Sequence, residues 1–291
     1  MSIVVRKATL DDVRGIISVH TAGEELSGLS VRERYLRGGP WMSVETCSVH
    51  INTFLLDGQL PLVAELDGRI VGEAEVFLSE EPINGEPRRI AHLDVIEVHP
   101  DFRGKGIGRA LVEHIERALG EKVELLTVQP SEGAIGFYKK LGFNKVLYEN
   151  RLVEVPTTEF TGGNVQPLNF IPWDDVKGLE LVAGRFQNSY DMWFSSFRDL
   201  FAGVHELAEA GKLGNSYYAL KPLPGRPGKA SLFLWGEGKD IPGVIGRAGE
   251  LGFKSVLTVL DEETAERIGG KMKKKLPIMG KELSGLSSPG S

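Results

Sequence analysis

The fold is decided by a stretch that reads VHPDFRGKGIGRAL, from Val98 to Leu111. The pattern is typical of a β-strand that runs into a glycine-rich loop, which opens directly into a helix. Because Gly104, Gly106 and Gly108 have no Cβ, successive backbone N–H groups can turn toward one ligand. The positive end of the helix dipole adds to this attraction, so the stretch predicts an anion site suited to a pyrophosphate. Three side chains add positive charge around it: Arg103, Lys105 and Arg109.

Two other phosphate-binding loops do not fit the spacing. A P-loop requires Gly-Lys-Ser or Gly-Lys-Thr after its second glycine, and neither is present. A dinucleotide-binding fingerprint lies near the first strand of a βαβ unit, whereas this loop follows the fourth predicted strand. The pattern that remains is Arg-x-x-Gly-x-Gly, which begins at Arg103.

A second patterned segment, SEGAIGFYKKLGF, extends from Ser131 to Phe143 and predicts a short helix that Ser131 can cap. In this order, the two segments resemble the motifs of the GNAT superfamily of N-acetyltransferases. Residues 98–111 match the longest family motif throughout. Residues 131–143 match its final helix, usually Asn-x-x-Ala-x-x-Phe-Tyr-x-x-x-Gly-Phe, with serine in place of the asparagine. The resemblance covers residues 3–148, about half of the chain.

The resemblance implies a fold, a co-substrate and a reaction. The fold would be α/β (α+β), with a mixed, mostly antiparallel central sheet flanked by helices. The chain would transfer an acetyl group from acetyl-CoA to an amine by direct attack through a tetrahedral intermediate. The residues implied to bind acetyl-CoA are Ile96, Val98, Arg103, Gly104, Lys105, Gly106, Ile107, Gly108, Arg109, Ser131 and Tyr138.

Acyl transfer to an amine needs a base for the amine proton, a donor for the oxyanion and an acid for the departing thiolate. By resemblance, the strand that ends at Val98 splays from its neighbour and offers backbone N–H groups to the oxyanion. Tyr138 would be the acid, although it could instead be a core aromatic. Family members often place a base where His92 and Asp94 stand.

The residue that would act as the base is not decided by the sequence. Strict alternation predicts that His92, Asp94, Ile96 and Val98 share one face. His92 titrates near neutral pH and could relay a proton, or it could be a structural, hydrogen-bonded residue. On the preceding strand, Glu73 and Glu75 also share a face with each other; a solvated face is favoured over a place in the acceptor site.

Hydrophobic patterning predicts the same architecture for the first half without any resemblance. It gives the order strand, helices, three strands, helix, strand, helix, strand. The segment from Glu80 to Arg88 contains Pro82, Asn84-Gly85 and Pro87, and it is predicted to be a loop.

The second half repeats the first in three short matches that keep their order: DDVRG at 11 with DDVKG at 174, IGRA at 107 with IGRA at 245, and LTV at 126 with LTV at 257. The matches favour a tandem duplication over coincidence, although short matches also arise by chance. Pro242 and Val244 stand where two glycines of the loop would be, so the second copy should not bind CoA in the usual way. The predicted domains are an acetyltransferase domain at 1–155, a degenerate copy at 165–280 and a flexible Gly/Ser-rich tail at 281–291.

Composition narrows the setting of the protein. A net charge of -6 argues against general nucleic-acid binding, and the lysine run at 271–275 is favoured as a solvated helix face. No apolar stretch is long enough to span a bilayer, and the one cysteine, Cys47, suits a reducing cytoplasm. The histidines are too scattered to predict a zinc site, so no metal is expected. A monomer with pseudo-dimeric halves and a homodimer are both compatible with the sequence.

Three functions therefore stay in view. The first is an N-acetyltransferase that acts on a small amine, a peptide or a protein. The second is an acetyl-CoA-binding regulatory or structural module with little or no turnover. The third is transfer from an acyl-CoA other than acetyl-CoA. Only the volume of the pocket around the acyl group would distinguish it from the first.

Overall fold

The computed structural model describes residues 2–120, 122–198, 203 and 206–283. Within these residues, thirteen strands form one mixed, mostly antiparallel sheet with helices on its faces, which confirms the predicted fold class. The strands are β1 (Ile3–Lys7), β2 (Leu60–Leu66), β3 (Arg69–Ile83), β4 (Glu86–Val98), β5 (Leu125–Val128), β6 (Lys145–Pro156), β7 (Gln166–Leu168), β8 (Leu181–Ala183), β9 (Glu209–Leu213), β10 (Ser216–Pro222), β11 (Lys229–Trp235), β12 (Ser255–Leu260) and β13 (Lys271–Glu282). The helices are α1 (Val13–His20), α2 (Val31–Gly38), α3 (Val44–Leu56), α4 (Ile107–Leu119), α5 (Ile135–Lys140), α6 (Trp173–Val176), α7 (Ser189–Phe197), α8 (Ile241–Glu250) and α9 (Glu262–Ile268).

The predicted loop from Glu80 to Arg88 is wrong, because β3 and β4 continue through it as a long hairpin. Asn84 and Gly85 form the two-residue turn, with φ of 52° and 82°. Such a turn needs positive φ at both central positions, which Asn-Gly adopts at low cost. The two prolines face each other across the hairpin near its tip and do not interrupt the central rungs. Only Asn84 and Gly85 lie outside the paired strands, and the rest of the predicted loop is β-structure.

Helices cover the two faces of the first-half sheet. Helix α4 buries an apolar stripe against β2, β3 and β4, because its apolar residues recur at helical spacing. Helices α1 and α3 pack on the opposite face around Cys47 and Ile51. Helix α7, from the second half, packs on that same face against Phe54 and Phe77.

The strand order shows that the two halves exchange their last strands. The sheet runs β1-β2-β3-β4-β5-β13-β6-β12-β11-β10-β9-β7, with β8 paired to β11. Strand β13 thus lies beside β5, and β6 lies beside β12. Each half also holds one parallel pair, β4 with β5 and β11 with β12. The order is therefore symmetric about the β13–β6 pair, while the origin of the second half as a degenerate copy stays a prediction.

The start of the predicted flexible tail is wrong. Lys281 and Glu282 are the last residues of β13, where they pair with Leu126 and Leu125. The lysine run at 271–275 also belongs to β13 and is a strand, not a helix. Both segments lie in β13, between β5 and β6. Their backbone groups are held there by hydrogen bonds to these two strands, whose own N–H and C=O groups would otherwise lack partners. Residues 284–291 of the predicted tail lie outside the described residues.

A short strand, β8, occupies the position beside β11 where the parallel pairing of β11 with β12 ends. The pairing of β11 with β12 ends at Ser231 and Leu257. Beyond that point β8 pairs with β11, and the Gly184 backbone N–H donates to the Val259 carbonyl of β12 at 2.9 Å. In addition, α8 begins at Ile241 with Pro242 in its first turn, and a proline has no N–H to offer an anion there. Within the described residues, β8 therefore bridges the parallel strands of the second half beyond the point where their own pairing ends.

Candidate active site

A cleft opens where β4 and β5 separate. Their parallel pairing runs from Ile90 with Leu125 to Leu93 with Val128, and it stops there although β4 continues to Val98. The cleft has a volume of about 820 Å³. Its lining residues are Asp94, Ile96, Glu97, Val98, Phe102, Arg103, Gly104, Gly106, Ile107, Gly108, Arg109, Gln129, Ser131, Gly133, Ala134, Phe137 and Tyr138.

The glycine-rich loop forms one end of this cleft. Gly104 and Gly106 have φ of 77° and 84°, and Gly106 is the residue from which α4 starts. An L-residue with a side chain adopts such φ values only with strain, which explains glycine at both positions. Gly108 serves a different purpose, because it is helical and a Cβ there would lie 3.3 Å from the Phe137 ring. The loop thus aims the amide end of a 13-residue helix into the cleft.

The predicted basic residues have separate environments. Arg103 is exposed and donates to Glu97 Oε1 at 2.7 Å and to the Val98 carbonyl at 3.1 Å. Lys105 does not line the cleft, and its Nζ lies 4.6 Å from the centre of the Phe102 ring. Arg109 lines the cleft from the first turn of α4.

Two further predicted residues lie at the opposite wall, on the segment that begins after β5. Ser131 lines the cleft and precedes a short 3-10 turn, but its side chain makes no capping hydrogen bond. Tyr138 lines the cleft from α5 and is 5% exposed. Burial, with a smaller contribution from the Asp94 carboxylate, raises the pKa of the Tyr138 phenol above its usual value. The phenol is therefore protonated at neutral pH.

A β-bulge at Asp94 overturns the prediction that His92, Asp94, Ile96 and Val98 share one face. On β3, Glu75 pairs with Val95 and the next residue pairs with Leu93, so Asp94 is the extra residue. The insertion shifts the alternation by one position. Ile96 and Val98 consequently pack on the α4 side, whereas His92 faces the α7 side.

His92 is fully buried, and both of its ring nitrogens have partners. Nδ1 lies 2.7 Å from Thr127 Oγ1, and Nε2 lies 3.0 Å from Gln187 Oε1. Burial, together with the positive charge of Arg185, lowers the pKa of His92 to about 4. The ring is therefore neutral at physiological pH. Sequence patterning did not identify Gln187, which comes from the second half of the chain.

Asp94 lies at the meeting point of the cleft and this buried face. It is half-buried and lines the cleft beside Ile96. One imidazole nitrogen of His92 and one carboxylate oxygen from each of Asp94 and Asp191 lie within 4.8 Å of one another. Asp191 belongs to α7, so the second half contributes a carboxylate next to the bulge.

The carboxylates of Glu73 and Glu75 are buried, which differs from the solvated face that the sequence favoured. Both are 0% exposed on β3. His20 Nε2 lies 2.7 Å from Glu73 Oε1, and His50 Nε2 lies 2.8 Å from Glu75 Oε2. The Trp41 indole N–H donates to Glu75 Oε1 at 2.8 Å, and its ring stacks on His20. The partners come from α1, α3 and the turn between α2 and α3, so no local sequence signal announced them.

Comparison with known proteins supplies the family. The acetyltransferase (GNAT) family model matches residues 29–143. The peptidyl-lysine N-acetyltransferase YjaB of Salmonella typhimurium is 30% identical over 117 residues, which are 38% of this chain and 80% of that protein. The chain belongs to the GNAT acetyltransferase family.

Other relatives of this GNAT protein match over shorter shares of their length. Acetyltransferase ECA0875 of Pectobacterium atrosepticum is 34% identical over 94 residues, which cover 31% of this chain and 61% of that protein. The chain thus spans less than two thirds of that relative. A GCN5-related N-acetyltransferase from Anabaena variabilis superposes with a TM-score of 0.65 at 11% identity, over 96% of this chain and 72% of that one. This likeness shows the fold, and it extends through both halves.

Among the described residues of this GNAT protein, no helix combines the length and apolarity that crossing a membrane requires.

We expect the buried pair of Glu73 and His20 to make the stability of this GNAT protein fall as pH rises. Burial, and then the charge of Glu75, raises the pKa of Glu73 from 4.5 to about 7. Burial lowers the pKa of His20, but the hydrogen bond and charge of Glu73 outweigh this and raise it. Both groups hold protons more tightly in the folded state, so their contribution is present at low pH and is lost as pH rises through the folded pKa.

The test is urea unfolding of the wild type and of Glu73→Gln between pH 5 and 8.5. The free energy of unfolding of the wild type should fall by up to about 3 kcal/mol relative to the variant, because the pKa of Glu73 is raised to about 7 in the folded state. Glu45→Gln, at an exposed position of α3, is the matched control and should follow the wild type. Parallel pH dependences for the wild type and Glu73→Gln would contradict the prediction.

Proposed function

We propose that this GNAT protein transfers the acetyl group of acetyl-CoA to an amine acceptor. The observation that carries the proposal is the cleft between β4 and β5, which has the glycine-rich loop at one end and Tyr138 in its wall. The GNAT family uses acetyl-CoA, and the residues present suit that molecule. Its pyrophosphate fits the amide end of α4, because the loop there has no Cβ at Gly104 or Gly106.

The chain offers different groups to different parts of acetyl-CoA. Backbone N–H groups of residues 104–109 and the Arg109 side chain would hold the pyrophosphate. The edge of β4 from Ile96 to Val98 faces the cleft, where the described part of the chain places no partner strand, and it would pair with the pantetheine amides. When bound, acetyl-CoA supplies an electrophilic thioester carbonyl and a thiolate leaving group.

Asp94 and Tyr138 would carry the proton transfers. Asp94 takes the proton that the amine nitrogen loses as the new C–N bond forms. Tyr138 gives its phenolic proton to the sulfur as the C–S bond breaks, and its raised pKa keeps that proton available at neutral pH. The backbone N–H groups near Ile96 would stabilise the negative charge that develops on the carbonyl oxygen.

We assign His92 a structural role in this scheme. Its two nitrogens are occupied by Thr127 and Gln187, and its pKa is lowered to about 4. His92 is also fully buried and is not among the residues that line the cleft. Asp94, by contrast, lines the cleft in which the amine must react.

The test is an acetyl-transfer assay on the full chain with three classes of amine. A lysine-containing peptide comes first because of the likeness to YjaB, and a polyamine and an amino sugar follow. Thiol release is measured with and without each amine, and the product is identified by mass spectrometry. Acceptor-dependent thiol release with an acetylated product supports the proposal. Acetyl-CoA binding without acceptor-dependent release in any class would favour the binding-module alternative and overturn the transferase proposal.

A further inference from the structure

Helix α7 belongs to the second half of the chain but is anchored to the first. At its start, the buried Glu81 carboxylate on β3 accepts hydrogen bonds from Asn188 Nδ2 at 2.7 Å and from the Ser189 backbone N–H at 2.8 Å. A carboxylate at this end also complements the positive end of the helix dipole. At the other end, Arg198 donates two hydrogen bonds to Asp57, at 2.6 and 2.7 Å. The helix is therefore tied to the first half at both ends, to β3 at its start and to the end of α3 at its other end.

Gln187 directly precedes this anchored helix, and its side chain reaches His92. With Gln187 Oε1 as the acceptor at 3.0 Å, His92 Nε2 carries the ring proton. Nδ1 then has a free lone pair, and Thr127 Oγ1–H donates to it at 2.7 Å. The hydrogen bond at one ring nitrogen thus fixes the protonation of the other.

The hydrogen bond between His92 and Thr127 lies next to the cleft. His92 and Thr127 are partners in the parallel ladder between β4 and β5, one rung before the last pair, Leu93 with Val128. Their side-chain hydrogen bond therefore joins the two strands at the point where the cleft begins. The bulge at Asp94 follows two residues later on β4. Any tilt of the His92 ring would change both the opening of the strands and the direction of Asp94.

We propose that Gln187 is a positioning residue that the second half supplies to the active site of the first. It holds His92 in the neutral, Nε2-protonated tautomer, and His92 in turn fixes Thr127 and the start of the cleft. The consequence for turnover rests on the proposed acetyl transfer, whereas the tautomer does not. Gln187 itself contacts neither acetyl-CoA nor the acceptor in this scheme.

The charged groups around His92 come from three segments. Asp94 follows it on β4, Asp191 faces it from α7, and Arg185 approaches from the segment between β8 and α7. Its neighbours on β3 and β5 in the ladders are the uncharged Phe77 and Thr127. Replacing the Gln187 amide with a carboxylate would therefore add a negative charge in direct contact with Nε2–H and favour the imidazolium.

The first readout is ¹⁵N NMR of histidine-labelled full-length protein, which needs no substrate. The His92 signals, assigned by their loss in His92→Asn, should report a neutral Nε2-protonated ring in the wild type across neutral pH. In Gln187→Glu, the same ring should titrate at clearly higher pH. Gln166→Glu, at an exposed position of β7 in the second half, is the matched control and should leave His92 unchanged. An Nδ1-protonated ring, or the same titration in Gln187→Glu as in the wild type, would overturn the proposal.

The second readout is the split between kcat and KM. Gln187→Ala should lower kcat by about 10- to 100-fold, the size of effect expected when a change outside the cleft misplaces a reacting group such as Asp94, with little change in the KM for acetyl-CoA. In Gln187→Glu, kcat should be low while His92 is protonated and should recover as pH rises past its new pKa. Unchanged kcat in both variants would refute the positioning role. If the wild type shows no turnover, the acetyl-transfer proposal fails, and the NMR result still decides the tautomer.

Discussion

Replacing Tyr138 with phenylalanine is expected to lower kcat by about 10²- to 10⁴-fold, the range that a lost general acid gives. The phenol lines the cleft, and burial keeps it protonated. Without the hydroxyl, the sulfur must leave as an unprotonated thiolate. The affinity for acetyl-CoA should stay close to that of the wild type, because the ring still packs against Phe137 and Phe143. Initial rates and calorimetric titration of the same preparations measure the two quantities.

Tyr218→Phe is the matched control for this substitution. Tyr218 is also buried, but it lies in the second half, where its hydroxyl donates to Glu209 at 2.7 Å. This variant should keep its kcat even if its stability falls by the ~1 kcal/mol of a lost hydrogen bond. A Tyr138→Phe enzyme with wild-type kcat would assign the acid to another group or show that thiolate departure needs none.

Replacing Gly106 with valine is expected to weaken acetyl-CoA binding by about 100-fold or more. Gly106 has φ of 84°, and a β-branched residue there would strain the backbone by about 1–2 kcal/mol or force the loop to another conformation. Either change turns amide N–H groups away from the pyrophosphate, at about 1.5–3 kcal/mol for a charge-assisted hydrogen bond. The sum of about 2.5–5 kcal/mol corresponds to roughly two to three and a half powers of ten in Kd. Calorimetric titration of acetyl-CoA into the full chain measures it.

The control for Gly106→Val is Gly58→Val. Gly58 has φ of 74°, open space around its Cα and a position between α3 and β2, away from the cleft. It should show the same backbone strain as a loss of stability, with acetyl-CoA affinity unchanged. Equal affinity losses in the two variants would indicate a general effect of strain. Full affinity in Gly106→Val would mean that acetyl-CoA binds without the loop, and the assignment of the cleft would have to be abandoned.

The parts of the site that sequence could predict are those specified by local rules. The glycine-rich loop, the helix that follows it and Tyr138 all lie in the cleft, because loop geometry and helix starts depend on residues close together in the chain. The long hairpin could have been predicted too. Asn84-Gly85 is a strong signal for a two-residue turn, and prolines that pair next to the turn do not prevent the strands from continuing.

The remaining features depend on contacts between distant segments. Nothing in the sequence around Asp94 marks it as a bulge, so strict alternation placed His92 on the wrong face. The two buried glutamates of β3 find their histidines on α1 and α3. One signal was available in VGEAEVF, at 71–77, where acidic residues alternate with small apolar ones. The acidic residues of such a strand are solvated only if the sheet is left bare on their side.

The exchanged strands have a consequence for the order in which the protein can fold during synthesis. Residue Thr127 pairs with Gly280, so the edge of β5 in the first-half sheet stays open until nearly all of the second half has left the ribosome. Until then β5 and β6 lack the strand that separates them, and their edges are free to pair with other chains. Contacts between such distant residues also slow folding. Nascent chains that stop before β13 should therefore depend on chaperones and should aggregate when released.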